Sequence, residues 1–110
     1  MKKKIYLFCS QGMSTSMLAK RMQDVADSHS MPVEVAAYSH GLLNQIIEEK
    51  KPDVILLGPQ VKYLYEDTVA NFGFYGAPIL MISPEDYGIM DGEKVLKQAI
   101  IALKKKKAQA

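Results

Sequence analysis

Short apolar runs alternate along the whole chain with longer stretches whose apolar residues recur every three or four positions, and this alternation restricts the fold more than any other feature. Ile5-Tyr6-Leu7-Phe8-Cys9, Val54-Ile55-Leu56-Leu57 and Pro78-Ile79-Leu80-Met81-Ile82 are nearly continuous apolar runs bounded by turn formers, the pattern of strands buried on both faces of a parallel sheet. The run from Val33 to Tyr38 is more polar, with Val33, Val35 and Ala37 on one face and Glu34 on the other, which suits an edge strand. Between the runs, apolar helix faces are traced by Leu18, Met22, Val25 and Ala26, by Leu42, Leu43, Ile46 and Ile47, and by Val61, Leu64, Tyr65, Val69 and Phe72. A last face, Val95, Leu96, Ala99, Ile100 and Leu103, runs into Lys104 to Lys107, cations that complement the negative end of a helix dipole.

Right-handed crossovers and helices on both faces then predict an α/β fold: a three-layer, doubly wound, four-stranded parallel sheet with strand order 2-1-3-4. In that order the chain reverses direction between strands 1 and 3. A ligand crevice is therefore expected at their C-terminal ends, where Cys9 and Gly58-Pro59-Gln60 lie.

With 110 residues, 48% of them hydrophobic, the chain suits one domain spanning residues 1–110. Its apolar runs fall far below the roughly 20 residues of a membrane-spanning helix. The basic start, Lys2 to Lys4, leads into Ile5 to Cys9, too short for the apolar core of a signal peptide, so a cytoplasmic protein is expected. One cysteine and two distant histidines make neither a disulfide nor a structural metal site, and no metal is expected. The net charge of +2 sits largely in the terminal lysine runs, with no basic stripe interleaved with aromatics, so nucleic acid is not an expected partner.

The loop after strand 1 carries the chemistry. Cys9-Ser10-Gln11-Gly12-Met13-Ser14-Thr15-Ser16 joins a thiol to a glycine and four hydroxyl residues where a helix begins. Gly12 lets the backbone curl, and amides at the start of a helix have no intrahelical partners, so they can point at phosphate oxygens. The same positive end favours an anionic, nucleophilic sulfur. Ser10, Ser14, Thr15 and Ser16 offer hydroxyl donors, one of them serving as helix cap. A lone buried cysteine is more often inert packing. At a topological switch point, ahead of a glycine- and hydroxyl-rich turn, the thiol reads instead as the reactive group.

Around this loop, Gly58, Pro59 and Gln60 are candidates to line the crevice, Gln60 with its amide; the alternative is a strand-end turn and helix start. Met13 and Met17 flank the loop and suit either core filling or a surface that meets more than one partner. His29 and His40 lack an anion-binding setting and are assigned surface or capping roles. Glu85 and Asp86 follow strand 4 and either face the crevice or, as favoured here, belong to an ordinary polar loop after Ser83-Pro84. The Lys104 to Lys107 run is expected to be a solvated helix end, the alternative being attraction to a membrane surface or an acidic partner.

Cys9-Ser-Gln-Gly-Met-Ser-Thr-Ser16 closely resembles the phosphorylation loop of the IIB components of lactose/cellobiose-type sugar phosphotransferase systems. Leu57-Gly58-Pro59-Gln60 is similar to that family's segment after strand 3, and Tyr87-Gly88-Ile89-Met90-Asp91-Gly92 to its Y-G-x-x-D-G lead into the last helix. The likeness covers essentially the whole chain. It implies a phosphoryl carrier in which Cys9 takes a phosphoryl group from a phosphohistidine of a IIA partner. The group then passes to a β-glucoside or disaccharide, of the cellobiose, chitobiose or lactose class, bound by a membrane IIC partner. It also implies no cofactor, no membrane insertion, and membrane association only through IIC. The low-molecular-weight tyrosine phosphatases share the fold expected here and are the rival reading, but their C-x5-R signature calls for arginine where this chain has Thr15. A regulatory module that merely binds an anion is the third.

Overall fold

A computed structural model describes residues 3–10 and 13–109. Strands β1 (Lys3–Cys9), β2 (Val33–Ser39), β3 (Val54–Leu57) and β4 (Ile79–Met81) alternate with helices α1 (Met13–Ser28), α2 (Leu43–Lys50), α3 (Tyr65–Phe72), α4 (Pro84–Gly88) and α5 (Gly92–Gln109). The strands form one parallel sheet in the order β2-β1-β3-β4, as the alternation predicts.

Side chains alternate across the two central strands, and each set meets its own helices. Ile5 and Leu7 of β1 and Val54 and Leu56 of β3 pack on Leu18 and Met22 of α1 and on Val95, Leu96 and Ala99 of α5. Tyr6, Phe8, Ile55 and Leu57 pack on the opposite face against Leu43, Ile46 and Ile47 of α2 and Val61. Burial of a large apolar side chain contributes about 1.5–3 kcal/mol, so the continuous apolar reading of β1 and β3 follows from their having two faces to bury. Tyr6 keeps one polar contact there: its hydroxyl donates to Glu34 on β2. Burial, followed by that carboxylate, holds the phenol far above its usual pKa.

Three local expectations are corrected. The run 78–82 was expected to be buried on both faces, yet β4 is a three-residue edge strand with Met81 47% exposed, because no strand lies beyond it. The apolar face from Val61 to Phe72 is not one helix. Pro59–Leu64 form 3-10 turns in which Val61 leaves helical geometry (φ −117°, ψ 21°), and only Tyr65–Phe72 are α-helical. That departure accompanies the burial of Val61 in the core, its amide donating to the Gly58 carbonyl at 3.0 Å.

Glu85 and Asp86, expected in a loop, lie on α4. Ser83 accepts from the Asp86 amide at 3.1 Å and Pro84 opens the helix, the combination that favours a helix start. Asp86 is buried and pairs with Lys94 of α5 at 3.1 Å, whereas Glu85 stays exposed.

The α1–α5 contact depends on Gly92. A Cβ there would lie 2.9 Å from the Cβ and the carbonyl carbon of Arg21 and 2.9 Å from the amide nitrogen of Met22. Two of those three atoms are backbone and have no rotamer to yield. Gly92→Ala is expected to lower stability by about 1–3 kcal/mol, the usual cost of overpacking, read as a shifted urea midpoint; an unchanged midpoint would mean that the helices separate without cost.

Candidate functional site

Cys9 is the last residue of β1, where the apolar strand meets the turn into α1. The parallel register sets Ser39, the last residue of β2, beside it. On the other side the Gly58 amide donates to the Phe8 carbonyl at 2.9 Å, extending the β1–β3 pairing by one bond. Thus the ends of the two central strands meet at the thiol, and the predicted crevice residues converge there. A Cβ on Gly58 would lie 3.4 Å from Cys9 Cβ and 2.8 Å from the carboxamide end of Gln60. Gly58 therefore gives the Gln60 side chain room to fold back toward Cys9. Pro59 is half-buried and opens the following turn, which its fixed φ explains.

Cys9 itself is 3% exposed. Strand alternation sends its side chain to the same face as Ile5 and Leu7, the face that α1 covers. The first turn of α1 follows, and it contains no acidic residue, so no side-chain carboxylate offsets the positive end of the helix. Ser10 and Ser16 are exposed. Thr15 is fully buried, its hydroxyl 3.3 Å from that of Tyr87. Gln11, Gly12 and the side chains of Met13 and Ser14 lie outside the described residues. Met17 is 59% exposed, which answers the choice between core and surface.

His29 is exposed just past α1. His40 follows β2 and its Nε2 lies 3.0 Å from the Thr68 hydroxyl. Thr68 gives its own proton to the Leu64 carbonyl, so His40 Nε2–H is the donor. Burial lowers the pKa of His40. The unfolded chain then takes up the proton more readily, and stability is fully present above the ordinary histidine value of about 6.5 and declines as pH falls through the lowered one. Stability of wild type is expected to drop more between pH 7.5 and 5 than that of His40→Gln, measured by urea unfolding at both values; equal drops would remove His40 as a source of pH sensitivity.

Ser39 and Tyr87 are the neighbours that sequence reading did not place at the site. Ser39 was within reach of a register argument, since a parallel partner of β1 must end beside Cys9. Tyr87 is marked in the sequence only as the start of the Y-G-x-x-D-G lead into the last helix, and nothing there brings it to Thr15, 72 residues away.

The fold is a doubly wound parallel α/β domain, a class whose ligand crevices open at the C-terminal ends of the central strands, and Cys9 ends the first of these. The family model described as PTS system, lactose/cellobiose specific IIB subunit matches residues 4–98, and the chain belongs to that family. It is similar to the PTS system galactose-specific EIIB component of Lactococcus lactis subsp. cremoris (strain MG1363), 38% identical over 100 residues covering 88% of this chain and 93% of the relative. The PTS system cellobiose-specific EIIB component of Lactococcus lactis subsp. lactis (strain IL1403) matches to the same extent: 38% identity over 88% of this chain and 93% of that one. Among solved structures, the cellobiose-specific phosphotransferase IIB component from Borrelia burgdorferi superposes with a TM-score of 0.79 at 36% identity, covering 96% of this chain and 95% of that one. The protein is therefore a IIB component of the cellobiose/lactose type, a phosphoryl carrier of sugar transport and a sugar phosphotransferase. Among the described residues, no helix is long and apolar enough to cross a membrane.

Proposed function

We propose that Cys9 is the residue that carries the phosphoryl group, that its donor is a phosphohistidine of a IIA component, and that its acceptor is a sugar bound by a membrane IIC component. The observation that carries this reading is the convergence of the ends of β1 and β3 on one thiol, with Ser10 to Gly12 between it and the acid-free first turn of α1 in sequence. IIB components work with IIA and IIC partners, and a relay between them needs a group that is nucleophile in one step and leaving group in the next. A thiolate serves both. In the first step the Cys9 sulfur attacks phosphorus, an S–P bond forms, the N–P bond breaks, and the departing imidazole takes up a proton. In the second a sugar hydroxyl oxygen attacks, the S–P bond breaks, the thiolate is regenerated, and the hydroxyl proton is released.

Loop amides and the exposed hydroxyls of Ser10 and Ser16 hold the phosphoryl oxygens, with Gln60 supplying an amide from the crevice wall. Preorganised donors of this kind supply the charge stabilisation that phosphoryl transfer requires. The mechanism invokes no metal or diffusible cofactor. Residues 1–110 act as one IIB domain in the cytoplasm, meeting the membrane only through IIC. The sugar belongs to the β-glucoside and disaccharide class; relatives named for galactose and for cellobiose are equally similar to this chain.

The test is peptide mass spectrometry after incubation with phosphoenolpyruvate, the general phosphotransferase proteins and IIA. A phosphoryl adduct on Cys9 is expected. Label on another residue, or none, would sink the proposal.

A further inference from the structure

We propose that Tyr87 is a positioning residue for phosphoryl transfer: held on α4, its hydroxyl fixes the first turn of α1 through Thr15, and so aims that turn's amides at the group on Cys9. The inference rests on the reading of Cys9 as phosphoryl acceptor.

Thr15 is the third residue of α1, within the turn whose amides lack intrahelical partners. It is fully buried, and its Oγ1 lies 3.3 Å from the Tyr87 hydroxyl. Because threonine is branched at Cβ and stiff at χ1, a restraint on its hydroxyl is passed to the backbone of the turn rather than absorbed by a rotamer change.

The other end of the contact is well anchored. Tyr87 packs against the core formed by α1, α5 and the sheet, and its amide donates to the Ser83 carbonyl at 3.0 Å. Next to it, buried Asp86 pairs with Lys94 on α5 at 3.1 Å, and the Asp91 amide donates to the Asp86 carbonyl at 3.0 Å. Gly92 then sets α5 directly on the α1 backbone. The tyrosine hydroxyl is thus presented from a corner braced on two sides.

Stability does not explain the pair. Taking the buried Thr15 hydroxyl from water offsets much of what one hydrogen bond to Tyr87 returns, and a valine–phenylalanine pair would fill the same space without that cost. At 3.3 Å the bond is also longer than the usual O–H···O range of about 2.5–3.0 Å. What the pair provides is direction. Hydrogen bonds of catalytic sites are often long without ligand and tighten once the reacting group is bound.

The experiment measures phosphorylation of Cys9 by phosphorylated IIA in wild type, Tyr87→Phe, Thr15→Val, the double variant and Thr15→Ser, with urea unfolding of each. Each single loss of hydroxyl is expected to slow the step about tenfold in kcat, the size of one hydrogen bond, with KM for IIA within about twofold and unfolding midpoints nearly unchanged. The double variant should be no slower than the singles, and Thr15→Ser should recover most of the rate. Wild-type rates in the single variants would overturn the positioning role while leaving Cys9 as acceptor. Multiplying effects in the double variant, or rate losses accounted for by the unfolded fraction, would overturn it too. Failure of wild-type Cys9 to take the group would remove both the carrier reading and this one.

Discussion

Cys9→Ser is expected to end phosphoryl relay to sugar while leaving the fold intact. Cys9 is 3% exposed at the end of a strand that is otherwise closed by apolar packing, and oxygen for sulfur changes the side chain little in size or shape. The cost in stability is that of hydrating or burying one hydroxyl, about 1–3 kcal/mol at most. Function responds differently. The thiolate is the competent nucleophile, whereas a serine hydroxyl stays protonated at neutral pH unless a general base removes its proton, and the imidazole of His40, the residue after Ser39, is engaged with Thr68. Transfer from phosphorylated IIA should fall by about 100-fold or more. Labelling and sugar-phosphate formation measured side by side, with circular dichroism for the fold, give the result directly. A serine variant that phosphorylates sugar at the wild-type rate would take Cys9 out of the mechanism.

Most of what places this thiol was readable from the sequence. β1 and β3 were visible as continuous apolar runs because both of their faces are buried, and strand order then followed from the handedness of crossovers. The convergence of Cys9 with Gly58 and Gln60 is a consequence of that order alone. Features set by contacts between distant residues were less legible. The burial of Val61 interrupts a helix whose apolar spacing looks unbroken, and β4 reads like a central strand although it lies at an edge. α4 was obscured because its five residues are too few to show a period, and the cue that remained, Ser83-Pro84, marks a loop as readily as a helix start. Thr15 shows the same limit from another side. As one hydroxyl among several in the loop it reads as a phosphate donor, yet the fold turns it inward onto Tyr87.

On the proposed reading of Cys9 as phosphoryl carrier, that inward turn bears on whether the group there waits for a partner or passes to water. In the C-x5-R phosphatases the arginine at this position clamps the transferring group, and a clamp of this kind is worth roughly 10³-fold or more in related chemistry. Here Thr15 is fully buried and spends its hydroxyl on Tyr87, so it supplies neither charge nor a fork of donors. Isolated wild-type phosphoprotein is accordingly expected to persist long enough to be purified, with negligible turnover of p-nitrophenyl phosphate. Placing the guanidinium back is not a simple restoration. An arginine at this position must either bury its charge beside a tyrosine hydroxyl or push α1 away from α4, and a buried charge without a carboxylate partner costs several kcal/mol. Thr15→Arg is therefore expected to lose about 3 kcal/mol or more of stability, and in the molecules that remain folded at low temperature phospho-Cys9 should decay faster than in wild type. Urea unfolding and the decay of purified phosphoprotein without IIC or sugar measure the two effects separately. Rapid hydrolysis of the wild-type intermediate, or robust wild-type phosphatase turnover, would mean that the site discharges to water without arginine and would replace the carrier reading with that of a phosphatase.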